Sequence, residues 1–254
     1  MEDLPQAPLL SLPFGQDAPP AVRIGLIVLA SEYTLEAEAR TVWQRLGAEV
    51  ALYQSRIAND PIITPESLAA MGPRLTETAS RLLPGCPLDV IGYGCTSAST
   101  TLGEAAVISA IREAKPEAAV TNPITGALAG FQALGVRRIG LITPYTADVT
   151  GTMRAYLEAA GIEVVVAASF QEPDDQIVAR ISRASLAEAV RQIAETGPEA
   201  VFVSCTSIRL MAEIDALETA LGLPVISSNQ ALLWHVLSLA GVPRPRGFGR
   251  LFDL

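Results

Sequence analysis

Hydrophobic residues along the chain fall in short, nearly unbroken runs that alternate with stretches of helical spacing. Residues 22–30 (VRIGLIVLA) read as a strand buried on both faces, because branched apolar side chains follow one another without polar alternation. Residues 35–46 then show helical spacing and stop before Gly47. The same alternation predicts strands at 48–57, 88–95 and 118–123 and helices at 68–84 and 124–135, with a turn and then a helix over 96–116. Pro73 marks a break near the start of the 68–84 helix. The pattern restarts at 136–145. Further strands are predicted at 162–170, 199–205 and 224–229, and helices at 148–161, 186–197, 206–222 and 230–241. Alternation on this scale predicts an α/β fold with helices flanking parallel sheets.

The two halves also align. RIGLIVLASEYT, starting at residue 23, opens like RIGLITPYTADV, starting at residue 138, an offset of 115 positions. The tripeptide Cys-Thr-Ser closes an apolar run twice, at Cys95 and Cys205, an offset of 110. Near-equal offsets predict two similar Rossmann-like lobes related by a pseudo-twofold axis, with the site in the cleft between them. We place the first lobe at 22–121 with 225–254 and the second at 122–224, after a loosely ordered arm over 1–21. Leu9, Leu10, Leu12 and Phe14 of that arm are candidates for packing on a neighbour. Parallel sheets bind ligands at the carboxyl ends of their strands, so both cysteines are expected to face that cleft.

Composition narrows the function. Half of the residues are hydrophobic and only 18% are charged, which fits buried strands and a large core or subunit interface. Net charge is −9, and no stripe of Lys or Arg forms a nucleic-acid or anionic-membrane surface. No apolar run reaches membrane-spanning length, and the acidic, proline-broken N-terminus lacks the marks of a secretory signal; a cytoplasmic location is expected. Three cysteines, one histidine and no Cys-x-x-Cys pair make a disulfide framework or zinc site a poor fit. The lone His235 lies in an apolar helix and reads as a packing or surface residue, which leaves a histidine-dependent triad unsupported. Gly92, Gly94 and Gly103 do not make a dinucleotide fingerprint. No cofactor is expected.

The chemistry therefore falls to the thiols. A single Cys-Thr-Ser reads as a small buried hydrophobe, but its recurrence at matching places in both lobes favours function. Cys86, in a proline-flanked loop without a counterpart, reads as structural. Each paired thiol is expected beside backbone N–H groups and a helix N-terminus, which lower a thiol pKa, so both should react quickly with iodoacetamide near neutral pH. Thr96, Ser97, Thr206 and Ser207 would cap those helices and help bind a carboxylate. Two thiols facing across a small acid could exchange protons on its opposite faces, or one could add to a double bond while the other supplies a proton.

The motifs GYGCTSAS (92–99) and SCTSIRL (204–210), with residues 121–146 and 223–235, resemble the Asp/Glu racemase superfamily over roughly residues 22–243. The branch is that of maleate cis–trans isomerases and arylmalonate decarboxylases. The resemblance implies Cys95 as nucleophile or first base, Cys205 as the second acid/base, and Tyr145 as a hydrogen-bond donor to a substrate carboxylate. It implies no cofactor and a homodimer or larger assembly. Decarboxylases of the branch keep only the second-lobe cysteine and an apolar pocket, so Cys95 argues against simple decarboxylation. SEYT (31–34) departs from the isomerase pattern by placing Tyr33 where an asparagine is expected, preceded by Glu32; near the second expected asparagine stand Asp174, Asp175 and Gln176. Ser31, Tyr33 and Asp175 are accordingly candidate substrate contacts. Extra negative charge disfavours a dicarboxylate and suits an ammonium, amidine or amide. Residues 25–40 are most similar to the racemase-like proteins encoded with ectoine and hydroxyectoine utilisation enzymes. Three readings remain open: a two-thiol racemase, epimerase or cis–trans isomerase of a small carboxylic acid or amino acid derivative; a lyase or decarboxylase using chiefly Cys205; and a two-lobed binding protein with incidental cysteines.

Overall fold

The computed structural model describes residues 10–254. The first nine positions of the expected arm, including Leu9, lie outside the described residues. Residues 10–21 form no helix or strand, and Leu10, Leu12 and Phe14 are exposed.

Among the described residues, eight strands form two four-stranded sheets, all parallel. The first holds β1 (Val22–Leu29), β2 (Val50–Ile57), β3 (Val90–Tyr93) and β4 (Ala119–Thr121) in the order β2-β1-β3-β4. The second holds β5 (Arg138–Thr143), β6 (Glu163–Ser169), β7 (Ala200–Val203) and β8 (Val225–Ser227) in the order β6-β5-β7-β8, so one order is used twice. In each sheet the chain reverses its direction of travel between the first and third strands, β1/β3 and β5/β7. Such a switch point leaves a crevice at the strand ends. Strand β3 and strand β7 are buried along their whole lengths, which is why they read as continuous apolar runs.

Helices α1 (Thr34–Trp43), α2 (Pro65–Ala69), α3 (Leu75–Ser80), α4 (Thr96–Leu102), α5 (Glu104–Ala114), α6 (Pro123–Leu134), α7 (Ala147–Ala159), α8 (Asp175–Val178), α9 (Arg183–Ala194), α10 (Ile214–Leu221) and α11 (Ser228–Leu239) cover the sheets. None is long and apolar enough among the described residues to cross a membrane.

Three helices differ from expectation. Over 68–84 the chain forms the end of α2, a 3-10 turn at Gly72–Arg74 that contains Pro73, and then α3. Over 96–116 helix starts at once with α4 and breaks at Gly103, whose φ of 82° an L side chain rarely adopts. The helix expected from residue 206 is absent until a 3-10 turn at Met211–Glu213 leads into α10.

Helix α11 packs along α6 and against β3. The approach is closest at Gly126, where an added Cβ would sit 2.5 Å from the carbonyl oxygen of Ala231. Alanine favours a helix over glycine by about 1 kcal/mol, but here backbone blocks the methyl and the helices would have to part. Gly126→Ala should therefore lower the thermal midpoint by about 4–8 °C in scanning calorimetry, the shift expected for a loss of about 2 kcal/mol in a chain of this size. An unchanged or raised midpoint would show that the helices are not held this closely.

Candidate active site

Both repeated motifs leave their sheets at the carboxyl ends of inner strands. Cys95 follows β3 and is the N-cap of α4, with extended backbone at φ −145° and ψ 111°. Gly94 makes that turn possible: an added Cβ would meet Leu35 Cδ2 at 2.4 Å and the Ile27 carbonyl oxygen at 3.1 Å. Cys205 follows β7 with φ 151°, a positive value rarely held by non-glycine residues and one that costs about 1–3 kcal/mol.

Both thiols line one small cavity, together with Thr96, Ser97, Tyr145, Asp175, Thr206 and Asn59. Leu29, Ile63, Leu68 and Met71 supply its apolar wall. Two loops close over it from corresponding places in the two sheets, after β2 and after β6. They pair as an isolated antiparallel bridge between Ile62 and Asp174. Ile63 N–H donates to the Pro173 carbonyl at 2.8 Å, and Asp175 N–H donates to the Pro61 carbonyl at 2.9 Å.

Cross-lobe hydrogen bonds fix the two motifs. The Ser228 hydroxyl oxygen accepts from Thr96 Oγ1 at 2.8 Å and from the Cys205 N–H at 3.0 Å. Thr206 Oγ1 donates to the Gly94 carbonyl at 3.3 Å. The threonine hydroxyls are thus spent on joining the lobes. The expected caps do not form, since the α4 N-cap makes no side-chain bond and no helix follows Cys205 directly.

One end of the cavity is acidic. Asp175, 3% exposed, accepts from Ser31 Oγ at 2.6 Å and from Ser207 Oγ at 2.5 Å. Asn59 Nδ2 donates to Ser31 Oγ at 2.9 Å. Behind them Glu32, 2% exposed, accepts from the N–H groups of Thr34 and Leu35, and its other oxygen lies 3.2 Å from Ser207 Oγ. Burial, with a smaller push from the nearby Asp175, raises its pKa to about 7.

Burial also governs the thiols, and it reverses the expected shift. The Ala98 N–H and the Ser97 hydroxyl do favour a Cys95 thiolate, but removal from water outweighs them and raises the pKa to about 11. Cys205 rises further still, through burial and then the Asp175 charge, against the opposing help of Tyr145 and the Ser207 N–H. Tyr93 stands beside Cys95 as Tyr145 does beside Cys205, and burial raises both phenols well above the usual range.

Of the residues singled out in the sequence, Cys95, Cys205, Thr96, Ser97, Tyr145, Asp175 and Thr206 lie on the cavity, while Ser31 and Ser207 hold its aspartate from behind. Tyr33 does not join them: its side chain is 47% exposed, outside the cavity, and the residue serves as the N-cap position of α1. Cys86 is exposed on a surface loop rather than packed inside. His235 sits within 2.7 Å of Thr121 Oγ1 and stacks on Trp234. Sequence reasoning missed Asn59, Tyr93 and Ser228. Asn59 carried a usable signal, because Asn-Asp-Pro begins two residues after a strand end. Among the described residues no group of three His, Cys, Asp or Glu is placed to hold a metal ion.

Comparison with known proteins gives this geometry a context. The chain is 28% identical to the maleate isomerase of Nocardia farcinica over 239 residues, covering 90% of this chain and 94% of that one. It is 31% identical to the arylmalonate decarboxylase of Bordetella bronchiseptica over 198 residues, 75% of this chain and 82% of that one. Its structure superposes with a TM-score of 0.83 on a Cys-to-Ser mutant of the Nocardia farcinica maleate cis–trans isomerase carrying a covalently bound succinylcysteine intermediate, at 26% identity over 91% of this chain and 98% of that one. The arylmalonate decarboxylase family matches residues 65–252. With three quarters of its length matched and both strand-end cysteines inside the match, the chain belongs to the arylmalonate decarboxylase family.

Proposed function

We propose that the protein is a cofactor-independent isomerase (a racemase, epimerase or cis–trans isomerase) acting on a small carboxylic acid or amino acid derivative through Cys95 and Cys205. The observation that carries this reading is the shared cavity, with one thiol from each sheet. Cys95 acts as nucleophile or first base, and Cys205 exchanges a proton on the opposite face. In the addition variant a Cys95 C–S bond forms at one alkene carbon while the neighbouring carbon takes a proton. Rotation about the new single bond and loss of that proton with the thiol then give the other isomer. The succinylcysteine trapped in the Nocardia farcinica isomerase is an adduct of this type and supports a nucleophilic cysteine.

Tyr145 and Ser97 serve the substrate carboxylate, and the acidic end at Asp175 receives an ammonium, amidine or amide. A zwitterionic substrate suits the high thiol pKa values as well. A cation beside Asp175 offsets the negative charge that, after burial, disfavours the Cys205 thiolate, so bound substrate eases its ionisation. A place in ectoine or hydroxyectoine catabolism rests on the resemblance of residues 25–40, and a cytoplasmic homodimer or larger assembly on the family resemblance and the apolar composition. Decarboxylation through Cys205 is the second reading, favoured by the Bordetella bronchiseptica relative.

Proton NMR in deuterium oxide, with a panel of small amino acids carrying amine, amide or amidine side chains, separates these readings. Isomerisation by proton transfer predicts deuterium at the reacting carbon with no carbon dioxide released, and the addition route predicts cis–trans conversion of an unsaturated acid without that label. Cys95→Ser and Cys205→Ser should each reduce that exchange by at least about a thousandfold without unfolding the protein. Carbon dioxide release that survives Cys95→Ser would favour the decarboxylase, and full exchange in both single mutants would end the two-thiol mechanism.

A second expectation needs no substrate. In a Cys86→Ser background, iodoacetamide alkylation of Cys95 and Cys205 should rise about tenfold per pH unit from about pH 7 to about pH 9.5, because thiolate is a minor species throughout. A plateau near pH 8, read by peptide mass spectrometry, would mean that burial does not dominate these thiols.

A further inference from the structure

We infer that Glu38, outside the cavity on helix α1, is a positioning residue for Cys205, holding the segment that carries this thiol in its non-helical path. The apolar spacing of residues 206–222 predicts a helix, yet residues 206–210 form none. Their backbone groups are engaged by side chains from two other elements. The Cys205 N–H goes to Ser228 and the Thr206 carbonyl accepts from Asn229 Nδ2 at 2.8 Å, both from α11. The Ser207 carbonyl accepts from Thr34 Oγ1 at 2.9 Å, from α1. The N–H groups of Leu210 and Met211 both donate to Glu38 Oε1, at 3.1 Å and 3.0 Å.

Glu38 Oε2 completes the arrangement by accepting from Asn229 Nδ2 at 2.7 Å. The same amide nitrogen therefore bonds Glu38 and the carbonyl next to Cys205. Asn229 Oδ1 is buried without a partner, a cost accepted to keep both N–H bonds of the amide in place. Turning the amide over would set Oδ1 against the carboxylate and the Thr206 carbonyl together. Three N–H donors arriving from two directions need two acceptor oxygens, and a carboxylate supplies them where an amide supplies one. The positive φ of Cys205 persists because the chain on its C-terminal side is held at Thr206, Ser207, Leu210 and Met211.

The test reads the two thiols against each other and does not depend on the proposed reaction. In the Cys86→Ser background, iodoacetamide rates at about pH 8.5 are measured for Cys95 and Cys205 by peptide mass spectrometry, with amide exchange at Leu210 and Met211. Glu38→Gln and Glu38→Ala should change the Cys205-to-Cys95 rate ratio by about tenfold or more, leave Cys95 within about twofold, and speed exchange at the two amides. Arg40→Ala, an exposed change on the same helix, should match the parent. If neither Glu38 variant folds, Asn229→Asp takes their place with the same expected shift in ratio. An unchanged ratio in a folded variant, or a parallel acceleration of both thiols, would overturn the assignment.

Discussion

A single hydroxyl oxygen joins the halves of this site. Ser228 Oγ accepts the Thr96 hydroxyl from the first Cys-Thr-Ser and the Cys205 N–H from the second. Each motif ends a strand in a different sheet, so the distance between the sheets at this point sets the distance between the motifs. The Thr206 bond to the Gly94 carbonyl and the antiparallel bridge over the cavity act in the same sense. The two sheets share one strand order, and the parts that differ between them are the ones that meet: α4 starts at Thr96, whereas the corresponding residues after Cys205 are pulled out of helix.

Closure by both lobes has an electrostatic consequence. The site contains local donors for each thiolate, yet loss of water outweighs them and keeps the thiols protonated in the free protein. The same loss of water brings Glu32 to about 7, and Glu38 likewise to about 7. Enclosure of this kind favours the neutral forms of the thiols it buries. The cavity's acidic end, Asp175 with Ser31, Ser207 and Asn59 around it, lies in the same enclosure.

Much of this was legible in the sequence. All eight strands were placed from the alternation of apolar runs with helical spacing, and the fully buried β3 and β7 show the continuous apolar pattern most clearly. The recurrence of Cys-Thr-Ser gave the strand ends, and Asp175 stood out as an acid in place of an expected amide. Other features depend on contacts that no local pattern records. Residues 206–210 have helical spacing, but Asn229, Thr34 and Glu38 take the groups a helix would use. Ser228 opens an ordinary helix, and only the fold brings it to both motifs. Tyr33 sits next to residues that reach the site, yet its side chain points to solvent at the start of α1. The direction of the thiol shift was misjudged because donors are visible in sequence and enclosure is not.

The account stands on Cys95 and Cys205 facing each other across one small space. A bifunctional alkylating agent with two reactive carbons on a three-carbon frame, such as 1,3-dibromoacetone, measures this directly in the Cys86→Ser protein. Peptide mapping should recover one intramolecular bridge between the Cys95 and Cys205 peptides as the main product. Separate adducts on each thiol, with no bridge, would contradict it.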